Sequence, residues 1–125
     1  MANKKITVAF VDDDECLVEM YEKKLTLANY KVLTAKDGKE GLKKIMSSNP
    51  DLIILDLVMP NLDGFELFKR IKTINKTGVP IIAFTNLNSE GDRKEALKIG
   101  FSDYWIKSNY TPAQFIEKIK SLMAS

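Results

Sequence analysis

The sequence predicts an α/β domain built on a doubly wound, five-stranded parallel sheet in the order 2-1-3-4-5, with five helices. Three observations carry that prediction. Short apolar runs alternate with longer segments whose apolar residues recur at helical spacing. The runs Leu52–Leu55 and residues 81–84 show no polar alternation, as strands covered on both faces should. Five β-α units of this length imply right-handed crossovers, with helices on both faces of the sheet.

The first strand is residues 6–11, and it stops at Asp12, Asp13 and Asp14. Asp14 with Glu15 reads as the cap and first-turn acid of a helix whose face carries Leu17, Val18, Tyr21, Leu25 and Ala28. The second strand is Lys31–Ala35; the third is Leu52–Leu55, ending at Asp56, and Asp63-Gly64 beyond it reads as a turn. The fourth is residues 79–84, ending at Thr85. Gly100 suits a helix end after Ala96, Leu97 and Ile99. The fifth strand, residues 104–106, ends at Lys107. Thr111, Pro112 and Gln114 spell a capping box with proline at the first helical position, opening a helix with Phe115, Ile116, Ile119, Leu122 and Met123 on one face.

At 125 residues the chain fits a single domain, 1–125, with no output domain expected. Hydrophobic content of 45% beside 29% charged residues fits a folded globular chain. Residues 1–5 hold two lysines but no leader-like apolar run follows, and no run approaches the roughly 20 residues of a membrane helix, so a cytoplasmic protein without membrane contact is expected. Cys16, alone, cannot form an internal disulfide and reads as a small buried hydrophobe. The net charge of +2 is spread over several predicted helices, which argues against nucleic-acid binding by this domain. The chain has no histidine, so any step needing imidazole must take it from another molecule.

In the predicted sheet the first and third strands are neighbours across the switch point, which gathers Asp12, Asp13 and Asp56. Two carboxylates about 5 Å apart repel by roughly 3 kcal/mol at an effective dielectric near 20, so the cluster calls for a cation. All-oxygen ligands in a partly open site favour Mg²⁺, and Lys107 brings a second positive charge. This is equipment for moving a phosphoryl group onto a carboxylate, with Asp56, alone at the end of a buried strand, as nucleophile. Taken singly, an acid after a strand is a cap, Thr85 is a cap and Lys107 a solvated lysine; four such endings on one sheet edge favour a site.

Val11-Asp12-Asp13-Asp14, then Asp56-Leu57-Val58-Met59-Pro60-Asn61-Leu62-Asp63-Gly64-Phe65, then Thr85, then Gly100 leading to Asp103-Tyr104-Trp105-Ile106-Lys107, resemble the receiver domain of bacterial response regulators. The resemblance spans essentially the whole chain. It implies a flavodoxin-like fold and a stand-alone receiver similar to the chemotaxis type: a phosphorylation-controlled interaction module in a two-component phosphorelay, not an enzyme. Asp56 would take a phosphoryl group from a sensor histidine kinase or histidine phosphotransfer protein. Asp13 and Asp56 would bind Mg²⁺ directly with the Val58 carbonyl, and Asp12 through water. Thr85 would hydrogen-bond the phosphoryl group, Lys107 would pair with it, and Tyr104 would be the aromatic that turns inward when Thr85 moves. The readout would be the surface of the fourth helix, fifth strand and fifth helix; Trp105 could join it or lie in the core. The downstream protein is not identifiable from sequence, and a phosphorylation-dependent dimer stays open.

Three departures from the family pattern stand out. Ser108 follows Lys107 where the family usually has a cis proline, which bears on how Lys107 is oriented. Asn86 is larger than the usual small residue and would narrow access. Val58 and Leu87 are apolar where the family tunes hydrolysis, which predicts slow self-dephosphorylation. Competing classes fare less well. An aspartate-nucleophile phosphatase needs a second carboxylate where Val58 stands, and a nucleotide or flavin binder needs a Gly- or Ser/Thr-rich loop where three aspartates stand. A degenerate receiver, binding partners without phosphorylation, is the remaining alternative.

Overall fold

Residues 5–74 and 78–124 are described by the computed structural model; of residues 1–5, read above for a leader, only Lys5 falls within them. Strands β1 (Thr7–Val11), β2 (Lys31–Ala35), β3 (Leu52–Leu55), β4 (Ile81–Thr85) and β5 (Asp103–Ile106) form one sheet in the order β2-β1-β3-β4-β5. Every pairing is parallel, with Val11 beside both Ala35 and Leu55, Leu55 beside Ala83, and Thr85 beside Ile106. The strand ends therefore share one edge, as the sequence predicts.

Side-chain alternation divides the core into two layers. On β1, Val8 and Phe10 face a layer with Tyr21 and Leu25 of α1 (Glu15–Leu27) and Phe115 and Ile119 of α5 (Pro112–Met123). Ala9 and Val11 face the other, with Ile45 of α2 (Gly38–Ser47), Leu67, Phe68 and Ile71 of α3 (Gly64–Ile74) and Ala96 of α4 (Glu90–Ile99). All of β3 is at most 1% exposed, which is why its four residues show no polar alternation. Phe10, Tyr21, Phe84 and Phe115 interlock with centroids as close as 4.5 Å, each such pair adding about 1 kcal/mol beyond burial.

The local signals hold in detail. The Asp14 side chain accepts the Leu17 N–H to cap α1, and Thr111 and Gln114 form the reciprocal capping box of α5. Gly100 closes α4 with φ +124°, a conformation that suits glycine. The α1 stripe buries Val18, Tyr21 and Leu25, with Leu17 and Ala28 packed at its margin.

Five expectations need correcting. Strand β4 begins at Ile81 instead of residue 79, because Pro80 has no N–H to give the ladder, and it runs on to include Thr85. Strands β1 and β5 each shift at their start, to Thr7 and Asp103. Cys16 is exposed, not a buried hydrophobe: two residues before Val18, it lies on the opposite side of α1 from the buried stripe. Asp63 is more than a turn residue, since its carboxylate accepts the Glu66 N–H at 2.9 Å and caps α3. Trp105, open between two placements, is core at 3% exposed. Among the described residues no helix is long and apolar enough to cross a membrane.

Candidate functional site

Backbone pairing runs one residue past the strands and fixes both principal acids. The Asp12 N–H donates to the Ala35 carbonyl at 3.1 Å, and the Asp56 N–H to the Val11 carbonyl at 3.0 Å. The two residues therefore leave β1 and β3 at the same level. Asp12 is 0% and Asp56 6% exposed, while Asp13 is exposed. One carboxylate oxygen from each of the three lies within 4.8 Å of the others. Asp12 Oδ1 accepts the Asp14 N–H at 3.0 Å, and Asp56 Oδ1 accepts the Val58 N–H at 3.3 Å, so each carboxylate keeps its second oxygen for the site.

Lys107 enters from the end of β5. Its ammonium lies 2.7 Å from Asp12 Oδ2 and 3.1 Å from Asp56 Oδ2. The first contact is close but poorly directed, and Asp12 Oδ2 has no well-formed hydrogen bond despite being fully buried. Burial pushes the Asp12 carboxyl above its ordinary range, outweighing the opposing pull of Lys107 and of the Asp14 N–H. For Lys107 burial works the other way, yet its contacts with Asp12 and then Asp56 prevail and hold its pKa above 10.5. The expectation that Ser108 bears on Lys107 resolves here: Lys107–Asn109 forms a 3-10 turn, with no cis peptide among the described residues, and the side chain still reaches both carboxylates.

Three carboxylates against one ammonium leave two uncompensated negative charges. The donors are all oxygen, and one of them is a buried oxygen without a directed partner. That set fits a hard divalent cation such as Mg²⁺.

The loop after β3 is fastened at both ends. Gly64 donates its N–H to the Leu57 carbonyl at 3.1 Å, and its backbone presses on the Asp56 carbonyl so closely that any Cβ would collide with it and with Leu57 Cα. Glycine is required there by close approach. The sequence signal for the α3 cap is an aspartate three residues before Glu66 ahead of an apolar run, a pattern that the Asp-Gly turn signature overlaps.

Thr85 and Tyr104 meet at a residue the motif reading connected only with hydrolysis. The Thr85 hydroxyl, fully buried, accepts the Leu87 N–H at 3.3 Å, and the Tyr104 hydroxyl donates to the Leu87 carbonyl at 2.6 Å. Tyr104 is 4% exposed and lies inward. Burial, aided by the charges of Asp92 and Asp56, pushes its phenol up to about 12. Asn86 is exposed, Val58 is exposed, and Leu87 packs partly against the core.

Comparison with known proteins agrees with this arrangement. The sequence profile of the response regulator receiver domain matches residues 8–120. The chain is 38% identical over 121 residues, 97% of its length, to the alkaline phosphatase synthesis transcriptional regulatory protein PhoP of Bacillus subtilis, of which it covers 49%. It is 39% identical over 101 residues, 80% of its length, to response regulator PleD of Caulobacter vibrioides, covering 22% of that protein. The chain thus spans half or less of the length of these two curated relatives. A Francisella response regulator receiver domain superposes with a TM-score of 0.85 at 31% identity, covering 94% of this chain and 96% of that one. A CheY-like receiver domain protein of Methanospirillum hungatei gives 0.88 at 26%, covering 97% and 95%. With the sheet order, the acidic edge and the family profile in agreement, the chain belongs to the response regulator receiver domain family, part of two-component signal transduction.

Proposed function

We propose that this domain receives a phosphoryl group on Asp56 from a phosphohistidine of a sensor kinase or phosphotransfer protein, and that the new charge alters a protein-interaction surface through Thr85 and Tyr104. The observation that carries this reading is the placement of Asp56 at the end of buried β3, facing Lys107 and two further carboxylates. An Asp56 oxygen attacks phosphorus and the P–O bond forms as the P–N bond to the partner's imidazole breaks; the bond's electron pair stays on that nitrogen, and the ring leaves as neutral imidazole with the proton already carried by its other nitrogen. Bound Mg²⁺, held by Asp12, Asp13, Asp56 and the Val58 carbonyl, would neutralise charge on the phosphoryl oxygens. Lys107 would then turn from the carboxylates to the phosphoryl oxygens.

The Thr85 hydroxyl spends one lone pair on the Leu87 N–H and keeps its hydrogen free to donate to a phosphoryl oxygen. Phosphorylation adds nearly two negative charges, enough to draw that hydroxyl inward and bias the loop that Leu87 shares with Tyr104. The surface so altered would be that of α4, β5 and α5, contacted by a downstream protein or a second copy. In this reading the domain is a cytoplasmic acceptor, not an enzyme. The spread net charge of +2 supports a protein partner for this domain; what a longer relative named as a transcriptional regulator does with its other half is a separate question.

A phosphorylation-independent binding module is the second reading, favoured by the direct hydrogen bond that fixes the buried Tyr104 hydroxyl to the Leu87 carbonyl. Incubation with Mg²⁺ and acetyl phosphate, followed by intact mass measurement, separates the two. The proposal expects a gain of one phosphoryl group that Asp56→Asn abolishes; no Asp56-dependent gain leaves the second reading standing.

A further inference from the structure

We propose that Tyr110 and Lys118 are positioning residues for Lys107, an inference that rests on the role given to Lys107 above. Lys107 must place its ammonium 2.7 Å from one carboxylate and 3.1 Å from another at the end of a flexible four-carbon stem, so the backbone it springs from has to be held. The turn that carries it does not hold itself. None of Lys107, Ser108 and Asn109 is buried, and Ser108 has no ring to fix its φ.

What holds the turn is the residue that closes it. The Tyr110 N–H donates to the Lys107 carbonyl at 3.3 Å, and the Tyr110 ring lies 6.2 Å from the ring of Trp105. Across both rings lies the Lys118 ammonium, 5.4 Å from the Trp105 centroid and 5.6 Å from that of Tyr110. Trp105 is a firm base for this clasp. It is 3% exposed, its indole N–H donates to Asp103 at 2.9 Å, and it meets the Phe115 ring edge-on at 5.8 Å. One residue on, the Thr111 capping box pins the chain to α5, with Thr111 N–H donating to Gln114 at 2.8 Å. The turn is thus gripped by an ammonium on α5 and a tryptophan on β5, and Lys107 projects from the gripped end toward the carboxylates.

The direct readout needs neither metal nor phosphoryl donor. In metal-free protein the Lys107 ammonium, recognised by the loss of its nitrogen-proton resonance in Lys107→Met, should exchange hydrogens slowly because it is paired and largely covered. Tyr110→Leu, which removes one cation–π contact, should speed that exchange about fivefold, and Lys118→Met, which keeps the stem but removes both contacts, by at least as much, while Lys118→Arg should preserve it. Both variants should also slow acetyl phosphate labelling of Asp56, with no further slowing in a Lys107→Met background. Unchanged exchange in both variants, with only a lowered melting temperature, overturns the proposal, as does slowing that persists undiminished in Lys107→Met. A slowly exchanging Lys107 that the clasp variants release, in a protein that never labels at Asp56, would sustain this inference and sink the phosphoryl-acceptor reading instead.

Discussion

Replacing Lys107 with methionine should destabilise the metal-free protein far more than the metal-bound one. The ammonium lies 2.7 Å from Asp12 and 3.1 Å from Asp56, giving gross attractions of about 6 and about 5 kcal/mol at an effective dielectric of 20. Without it, carboxylate oxygens within 4.8 Å of one another repel by about 3.5 kcal/mol per pair. Desolvation offsets much of the gross attraction, and stripping one partner from a buried pair leaves a net cost of about 3 kcal/mol. Urea unfolding at neutral pH, with and without saturating Mg²⁺, measures it. The penalty should shrink below about 1 kcal/mol with the metal, which supplies the missing charge. It should shrink toward acid pH as well, because Asp12, whose pKa is raised, protonates early. Lys107's own pKa is raised, so its contribution is complete below 10.5 and fades as pH climbs through the folded value; wild type and variant should converge at high pH. A penalty of equal size with and without Mg²⁺ would refute the view that the three acids form one cation site.

Gly64→Ala should cost about 3 kcal/mol and impair labelling of Asp56, since a Cβ there collides with the Asp56 carbonyl; stability and labelling both at wild-type level would contradict the close approach. Tyr104 should resist ionisation until about 12, with Tyr21 and Tyr30 also late, because all three phenols are buried. A phenol held above its ordinary value of 10.0 stabilises the fold below that pH and loses the contribution as pH rises through about 12; tyrosinate absorbance that appears in one step near 10 would count against it. The acyl phosphate should last minutes rather than seconds in purified protein, since neither Val58 nor Leu87 carries a side chain able to orient water. Decay within seconds, followed by intact mass, would show another group doing so.

Readability from sequence followed the range of the interactions. The buried strands and their shared edge were legible because β3, and β1 and β4 for most of their length, carry their burial in apolar runs that break at a polar residue, while the strand order came with the doubly wound pattern as a whole. The caps of α1 and α5 were legible because both partners lie within one turn. The start of β4 departs from its apolar run because Pro80 lacks a donor, and Cys16 is exposed because its helical phase outweighs its residue type. The Leu87 carbonyl as acceptor for Tyr104 had no local signature: the partners are 17 residues apart, and only the path of the loop after β4 brings them together. The clasp on Trp105 is of the same kind, since Lys118 on α5 meets a ring on β5 through the packing of helix on sheet.

In the proposed switch Leu87 would separate two properties of a signalling domain that could easily interfere. Its main-chain N–H donates to the Thr85 hydroxyl and its carbonyl accepts from the Tyr104 hydroxyl, so in the proposed switch a message would cross the loop along peptide atoms that every residue but proline possesses. Under the proposed function its side chain would stand where the lifetime of an acyl phosphate on Asp56 is set. Under that reading duration and transmission would occupy different atoms of one residue, and a substitution at position 87 would lengthen or shorten the signal while leaving intact the main-chain contacts that carry it.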